Sequence, residues 1–317
     1  METGSKVYVA GGSKVIGAGI LRSLDKRAKF NIVGRGANEP DWTHKDDLNR
    51  FFKLERPDYV FIAGGKSGGI QLNCTKPATL MLDNLLMACN IIPLAHTYKV
   101  KKLLNIASSC CYPKENHQPI DEDSLMAGKL EPTNEGYAMA KLVGITMCKA
   151  YNVEYGTSFI SAVPSNYFGS GDDFSLENSH VIGALIRRFY EAKQNNDTSV
   201  TIWGTGKPTR EFIYVDDLAE ACLFVMEKYT KIEPVNIGVG GNISIAKLAE
   251  MISKIVGYQG NIEFDPSKPD GMMRKELDSA KLKKMGWNSS ISLEQGLSET
   301  FQWFLNNYIK ESIGVNI

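Results

Sequence analysis

The alternation of short β-rich runs with longer helical stretches constrains this chain more than any other feature. Five runs, KVYVAG, NIVGR, DYVFIAG, KKLLNIAS and SFISAVPSN, are separated by KVIGAGILRSLDKRA, HKDDLNRFFKLERP, the apolar-periodic stretch from Pro77 to Tyr98, and YAMAKLVGITMCKAYNVEYG. Strands that recur with a helix between them run parallel, because each crossover returns the chain to the same end of the sheet. The expected fold is α/β, a Rossmann-type doubly wound parallel sheet, with ligands at the carboxyl ends of its strands. Past about Gly169 the rhythm breaks. GSGDDFSLENS reads as a polar loop, HVIGALIRRFYEAKQ as a helix, and VTIWGTGKPTREFIYVDDLAEACLFVME as strand, turn and helix. SIAKLAEMISKIVGY and SLEQGLSETFQWFLNNY read as two further amphipathic helices. The expected division is a first domain over 1–170 with a return segment at about 211–240, and a smaller C-terminal α/β domain over about 171–210 and 241–317.

Composition narrows the partners. The 317 residues are 43% hydrophobic, enough for a substantial core, and Lys+Arg and Asp+Glu both total 36. A zero net charge gives no reason to expect nucleic acid or an anionic membrane. No charged n-region precedes an apolar stretch at the start, and no run of about 18 apolar residues occurs, so a cytoplasmic protein is expected. The six cysteines lack C-x-x-C spacing, which points to reduced thiols and to no metal site. Cys110 and Cys111 are neighbours in a loop-like stretch, where one could have a chemical role.

Two stretches carry chemistry. Between the first strand and the first helix lie Gly11, Gly12, Ser13, Lys14, Val15, Ile16 and Gly17. A glycine turn there brings a helix N-terminus to phosphate charge, although Lys14 stands where G-x-x-G-x-x-G turns have their middle glycine. The second strand ends in Arg35, about where NAD-preferring sites carry an acid for the ribose hydroxyls. An arginine there can pair with a 2′-phosphate, which favours NADP(H). The second stretch is SSCCYP after the fourth strand, followed by YAMAK. Tyr137 and Lys141 are four apart and share a helix face. The ammonium is expected to lower the phenol pKa, and Ser108 to hydrogen-bond the same oxygen, as suits a proton donor to a carbonyl receiving hydride.

This constellation resembles the extended short-chain dehydrogenases, and within them the GDP-L-fucose synthase family of NADPH-dependent 3,5-epimerase/4-reductases. The resemblance runs nearly end to end, through GGI, SSCCYPK, LEPTNEGYAMAK, NSHVIGALIRRF, WGTGKPTREFIYVDD and SKPDGMMRKELD. It implies Ser108, Tyr137 and Lys141 as the reductase triad, and Cys110 and His180 as the acid/base pair of the epimerase step. It implies NADP(H) contacts along Gly11 to Gly17, at Arg35, Ala63 and Lys141, along Pro164, Ser165, Asn166 and Tyr167, and at His180. Arg188, Trp203, Arg210 and Asp270 fall where the family holds the GDP-sugar. Related enzymes form homodimers through a four-helix bundle, which the Pro77 to Tyr98 and Tyr137 to Tyr155 helices would build here. Ser13 replaces a common arginine of the turn, and YFGSGDDF replaces the usual Y-G-P run. These departures lie around cofactor and substrate. They also fit a relative that only reduces C4 of a GDP-4-keto-heptose made for surface or capsular polysaccharide. A nucleotide-sugar 4-epimerase with tightly bound NAD is the further alternative.

Overall fold

The computed structural model describes residues 1–175, 178–268 and 270–310. Leu176 and Glu177 of the polar loop, and Pro269 of the SKPDG stretch, lie outside the described residues. The first half runs β1 (Lys6–Ala10), α1 (Val15–Arg27), β2 (Asn31–Val33), α2 (Lys45–Glu55), β3 (Tyr59–Ile62), a short α3 (Ile70–Thr75), α4 (Pro77–Thr97), β4 (Lys102–Ile106), α5 (Glu135–Tyr155) and β5 (Phe159–Pro164). There follow β6 (Asn166–Phe168), α6 (Val181–Asn195), β7 (Ser199–Trp203), β8 (Thr209–Arg210), β9 (Phe212–Tyr214), α7 (Val215–Lys228) and β10 (Val235–Ile237). β11 (Ile243–Ser244), α8 (Ile245–Val256), β12 (Asn261–Asp265), β13 (Arg274–Lys275), α9 (Ala280–Lys284) and α10 (Leu293–Trp303) complete the order. The last helix continues as a π-helical turn over Phe304–Ile309.

All five strands expected from the sequence pair in parallel, and β10 adds a sixth, in the order β10-β5-β4-β3-β1-β2. The alternation along each strand divides the core. Val7, Val9, Phe61, Leu104 and Ile106 face α1 and α7, where Ile20, Leu24, Leu218 and Cys222 meet them. Tyr8, Ala10, Val60, Ile62 and Leu103 face the other way, onto Phe52, Met87, Ile91 and Ile92 of α2 and α4. This two-sided burial explains why the strands read as continuous apolar runs. It accounts for part of the apolar character of α4, which is long and apolar enough to cross a membrane by length and composition, with half of its most apolar window buried. In this fold α4 lies against the sheet, α2 and α5.

Strand order reverses between β1 and β3, so the crevice at their carboxyl ends is the expected ligand position. Beyond it, α6, α8, α10 and β7 share a second core around Phe174, Phe189, Leu248 and Phe301. Glu211, 1% exposed, joins the two parts. Its carboxylate accepts from the N–H groups of Gly240 at 2.8 Å and Leu277 at 2.9 Å, and its carbonyl accepts from Asn166 at 3.1 Å. Glu211 thereby ties the end of β8 to Leu277 just past β13 and to Asn166 just past β5.

Candidate active site

The floor of the site is backbone. Gly11 has φ +86°, and a Cβ added there would lie 2.2 Å from Gly64 Cα. A Cβ on Gly17 would lie 2.0 Å from the carbonyl oxygen of Gly11. Glycine at these places lets β1, β3 and α1 converge without side chains between them. Above lies a cavity of about 570 Å³ walled by Ser13 to Ile16, the Ala63 to Gly68 loop, Tyr137, Lys141, Tyr167 and His180, among others. Lys14 is the N-cap of α1 with φ −92° and ψ 162°, an extended conformation open to any residue. No side chain caps this helix end and no acid stands in its first turn, so its N–H groups remain available to an anion.

Arg35 lies at the end of β2 and pairs with Asp25 at 2.9 Å, both half exposed, and it is not among the cavity walls. Sequence reading missed Glu39, four residues further on. Its carboxylate accepts from the N–H groups of Gly11 at 2.6 Å and Gly12 at 3.2 Å. Burial raises its pKa, against the lowering effect of these amides and of the Lys14 charge.

Ser108, Tyr137 and Lys141 converge at the carboxyl end of β4. The Tyr137 phenol hydrogen-bonds Ser108, whose hydroxyl also accepts from the Cys110 N–H at 3.2 Å. The Lys141 ammonium lies 5.9 Å from the Tyr137 ring centroid and donates to the carbonyls of Gly64 at 3.2 Å and Ile106 at 3.4 Å. The expected lowering of the phenol pKa is not what the structure gives. Burial raises Tyr137 well above the ordinary tyrosine value, with further increments from Tyr167, Cys110 and Cys111, and the Ser108 bond offsets this only in part. Lys141 is itself pushed down to about 8 by burial. Desolvation dominates because both groups leave water together, and each neutral form gains.

Cys110 is half buried, and its sulfur accepts from Asn134 at 3.3 Å and Lys275 at 3.7 Å. Cys111, by contrast, is fully buried and its thiol is pushed up to about 12, the state of an inert packing residue. His180 opens α6, and burial lowers its pKa against the opposing charge of Asp173, with Lys275 lowering it further. Lys275 thus acts on both members of the expected acid/base pair. It lies within the SKPDGMMRKELD motif, but nothing local marks it.

Pro164 ends β5, the Ser165 N–H bonds the Ile237 carbonyl at 2.9 Å, and Asn166 holds Glu211, so this stretch is fixed by the sheet while Tyr167 reaches the cavity. Arg188, Trp203, Arg210 and Asp270 lie outside the cavity walls, on the second part of the molecule. Arg188 donates to the Thr201 carbonyl at 3.2 Å. Trp203, 53% exposed, carries the Lys268 ammonium 5.5 Å from its ring centroid. Arg210 is the register partner of Lys275, and it feels the charges of both Asp270 and Cys110. Both oxygens of Asp270 are engaged by Thr205, each at 2.7 Å, so this residue also fixes the turn after Trp203. Among the described residues no cluster of His, Cys, Asp or Glu could hold a metal ion.

Known proteins match this arrangement. The sequence model of the NAD dependent epimerase/dehydratase family matches residues 7–238. The GDP-L-fucose synthase of Escherichia coli is 44% identical over 311 residues, which cover 95% of this chain and 97% of that one. This chain belongs to the GDP-L-fucose synthase family. Among solved structures, a GDP-6-OMe-4-keto-L-xylo-heptose reductase from C. jejuni superposes with a TM-score of 0.90 at 32% identity, covering 96% of this chain and 99% of the other. The GDP-mannoheptose C4 reductase of Campylobacter jejuni with NADP bound gives 0.85 at 33%, covering 96% and 99%.

The lysine of the family site gives a testable signature. With Lys141 lowered from 10.5 to about 8, the folded chain binds fewer protons at this group than the unfolded chain across that interval. Stability at this position therefore rises as pH increases from about 8 toward the ordinary lysine value, and is lowest below 8, where the buried charge must be carried. Urea unfolding of wild type and Lys141→Met should show wild type gaining on the variant across this interval. A constant difference would mean that Lys141 titrates like a solvated lysine.

Proposed function

We propose that the chain is an NADPH-dependent enzyme that reduces the C4 ketone of a GDP-4-keto sugar and epimerises C3 and C5. The observation that carries this is Tyr137, bonded to Ser108 and set above Lys141, facing the cavity built on the glycine cradle. The cradle fits a dinucleotide: Gly11 and Gly17 let the backbones close up so that the uncapped α1 N-terminus opens onto the cavity, and the walls hold the orphaned acceptor Asn84 Oδ1. When bound there, NADPH supplies the hydride. Tyr137, kept protonated by burial, donates the proton that the C4 oxygen requires, and Ser108 holds the phenol in line. Lys141, fixed by two backbone carbonyls, supplies positive charge beside the phenolate left behind. In this reading Cys110 and His180 move protons at C3 and C5. Asn134 and Lys275 donate to the Cys110 sulfur, and burial lowers the His180 pKa, which favours the neutral ring that can accept a proton.

Residues 1–170 with 211–240 hold the cofactor in this reading, and 171–210 with 241–317 hold the GDP-sugar through Arg188, Trp203 and Arg210. The closure of the main sheet by β10, and the packing of α7 on α1, support that division. Six free cysteines suit a reducing cytoplasm. A second reading, reduction alone on a heptose substrate, is favoured by the two C. jejuni reductases and by the unusual YFGSGDDF run. Turnover with NADPH and a panel of GDP-4-keto sugars in D2O separates the two. Deuterium at C3 and C5 of the product, much reduced in Cys110→Ser while reduction persists, is expected. Product without carbon-bound deuterium would establish reduction alone, and absence of turnover in the whole panel would end the proposal.

Lys14 is read as a ligand of the 2′-phosphate or the pyrophosphate, and Arg35 as the other half of the phosphate clamp. The Lys14 side chain springs from the cavity rim, and the exposed pair of Arg35 with Asp25 is a weak competitor. Lys14→Gly restores the family residue, yet it should weaken NADPH more than NADH by about 1 kcal/mol, the scale of one charge-assisted hydrogen bond. Unchanged or tighter NADPH binding in a titration would remove Lys14 from the site.

A twofold homodimer through α4 and α5 is the proposed assembly. These helices pack on each other, yet Leu82 remains 56%, Met139 41% and Val153 78% exposed. Light scattering at micromolar concentration should return twice the chain mass, and a monomer would contradict the bundle.

A further inference from the structure

The loop after β6 holds a group that the catalytic reading leaves unused. Asp172 is 8% exposed and lines the same cavity as Tyr137 and His180. One carboxylate oxygen accepts from the Asp173 N–H at 2.9 Å. The other, Oδ2, is buried without a hydrogen-bond partner among the described residues. Burial pushes the carboxyl up to about 7, and the neighbouring Asp173 charge adds to that. An orphaned, desolvated carboxylate oxygen is a standing cost, and it is expected where a ligand group completes it.

The chemistry of that group is restricted. The charged form takes a donor and repels a phosphate. This excludes the diphosphate and the 2′-phosphorylated ribose of NADP(H). Position restricts it further. Asp172 follows Tyr167 of β6 by five residues, and both line the cavity together with Tyr137, so the three stand at its end nearest the phenol. The walls around them come from the glycine turn and the Ala63 to Gly68 loop, whereas Arg188, Trp203 and Arg210 stand outside. We infer that Asp172 accepts a hydrogen bond from a neutral N–H or O–H donor on the nicotinamide riboside half of NADP(H). The inference rests on the reading that this cavity holds the cofactor.

Calorimetric titration of the full chain tests it with two probes, NADP⁺ and 2′,5′-ADP, the latter lacking the nicotinamide riboside half. Asp172→Asn keeps the shape but turns an amide donor toward the ligand's donor. It should weaken NADP⁺ at least about tenfold while leaving 2′,5′-ADP within about twofold. The ligand-free variant should melt at or above the wild-type Tm, because a buried charge is removed. Equal NADP⁺ affinity in both proteins overturns the inference. So does a parallel loss of both probes, or a fall in Tm with loss of both, either of which assigns Asp172 to loop structure. A KM change confined to the GDP-sugar also overturns it. If wild type fails to bind NADP⁺, the reading of the cavity falls as well, an outcome distinct from the others.

Discussion

The closest approach in the molecule that its chemistry depends on is between two backbones, at Gly11 and Gly64. A Cβ at Gly11 would sit 2.2 Å from the neighbouring Cα, so no side chain can separate the ends of β1 and β3. Because nothing intervenes, α1 begins directly against the sheet, with Gly17 touching the Gly11 carbonyl. The helix N-terminus then faces the crevice where strand order reverses. Had the turn been bulkier, α1 would be displaced from its apolar seat on Val9 and Phe61 and the phosphate-facing amides would be lost with it. Core packing and ligand site are consequences of one contact.

Burial does the rest of the chemical work, and it acts in one direction. Tyr137 and Asp172 are raised while Lys141 and His180 are lowered, so every group is moved toward its neutral form. In the proposed reaction this favours a proton on Tyr137 to give and a lone pair on His180 to receive one. Lys141, pushed down to about 8, lies beside the phenol in that reading. A desolvated setting also strengthens each of these interactions relative to water.

What the sequence revealed and what it hid follow from distance along the chain. β1, β3, β4 and β5 were legible because they are buried on both faces, β2 because it recurs in the same alternation with helices, and Tyr137 and Lys141 because four residues make one helical face. Lys14 could be judged because the question was one of backbone dihedrals, and φ −92° answers it. The short pair β6 and β9, with three residues each, has no periodicity to read. Glu39 reaches the turn across 28 residues, and Lys275 reaches Cys110 across 165. No spacing rule spans such intervals. The phenol pKa was misjudged for a related reason: the charge partner was visible in sequence, but the depth of burial that outweighs it was not.

The placement of Lys275 suggests how binding and proton transfer are coupled in the proposed reaction. β13 pairs in parallel with β8, making Lys275 the register partner of Arg210. One residue faces the Cys110 sulfur and the other is read as a grip on the diphosphate. The two cations are register partners in one three-stranded sheet, so in this reading a diphosphate seated on Arg210 constrains the distance from sugar to sulfur. A change in sugar length or in the YFGSGDDF loop would alter that distance while leaving Tyr137 and Ser108 in place on the main sheet. In this reading epimerisation can be lost and reduction kept while Cys110 and His180 both remain. The decisive variable is where the ring lies between the two sheets, since a proton transfer that is misplaced by about 1 Å loses most of its rate.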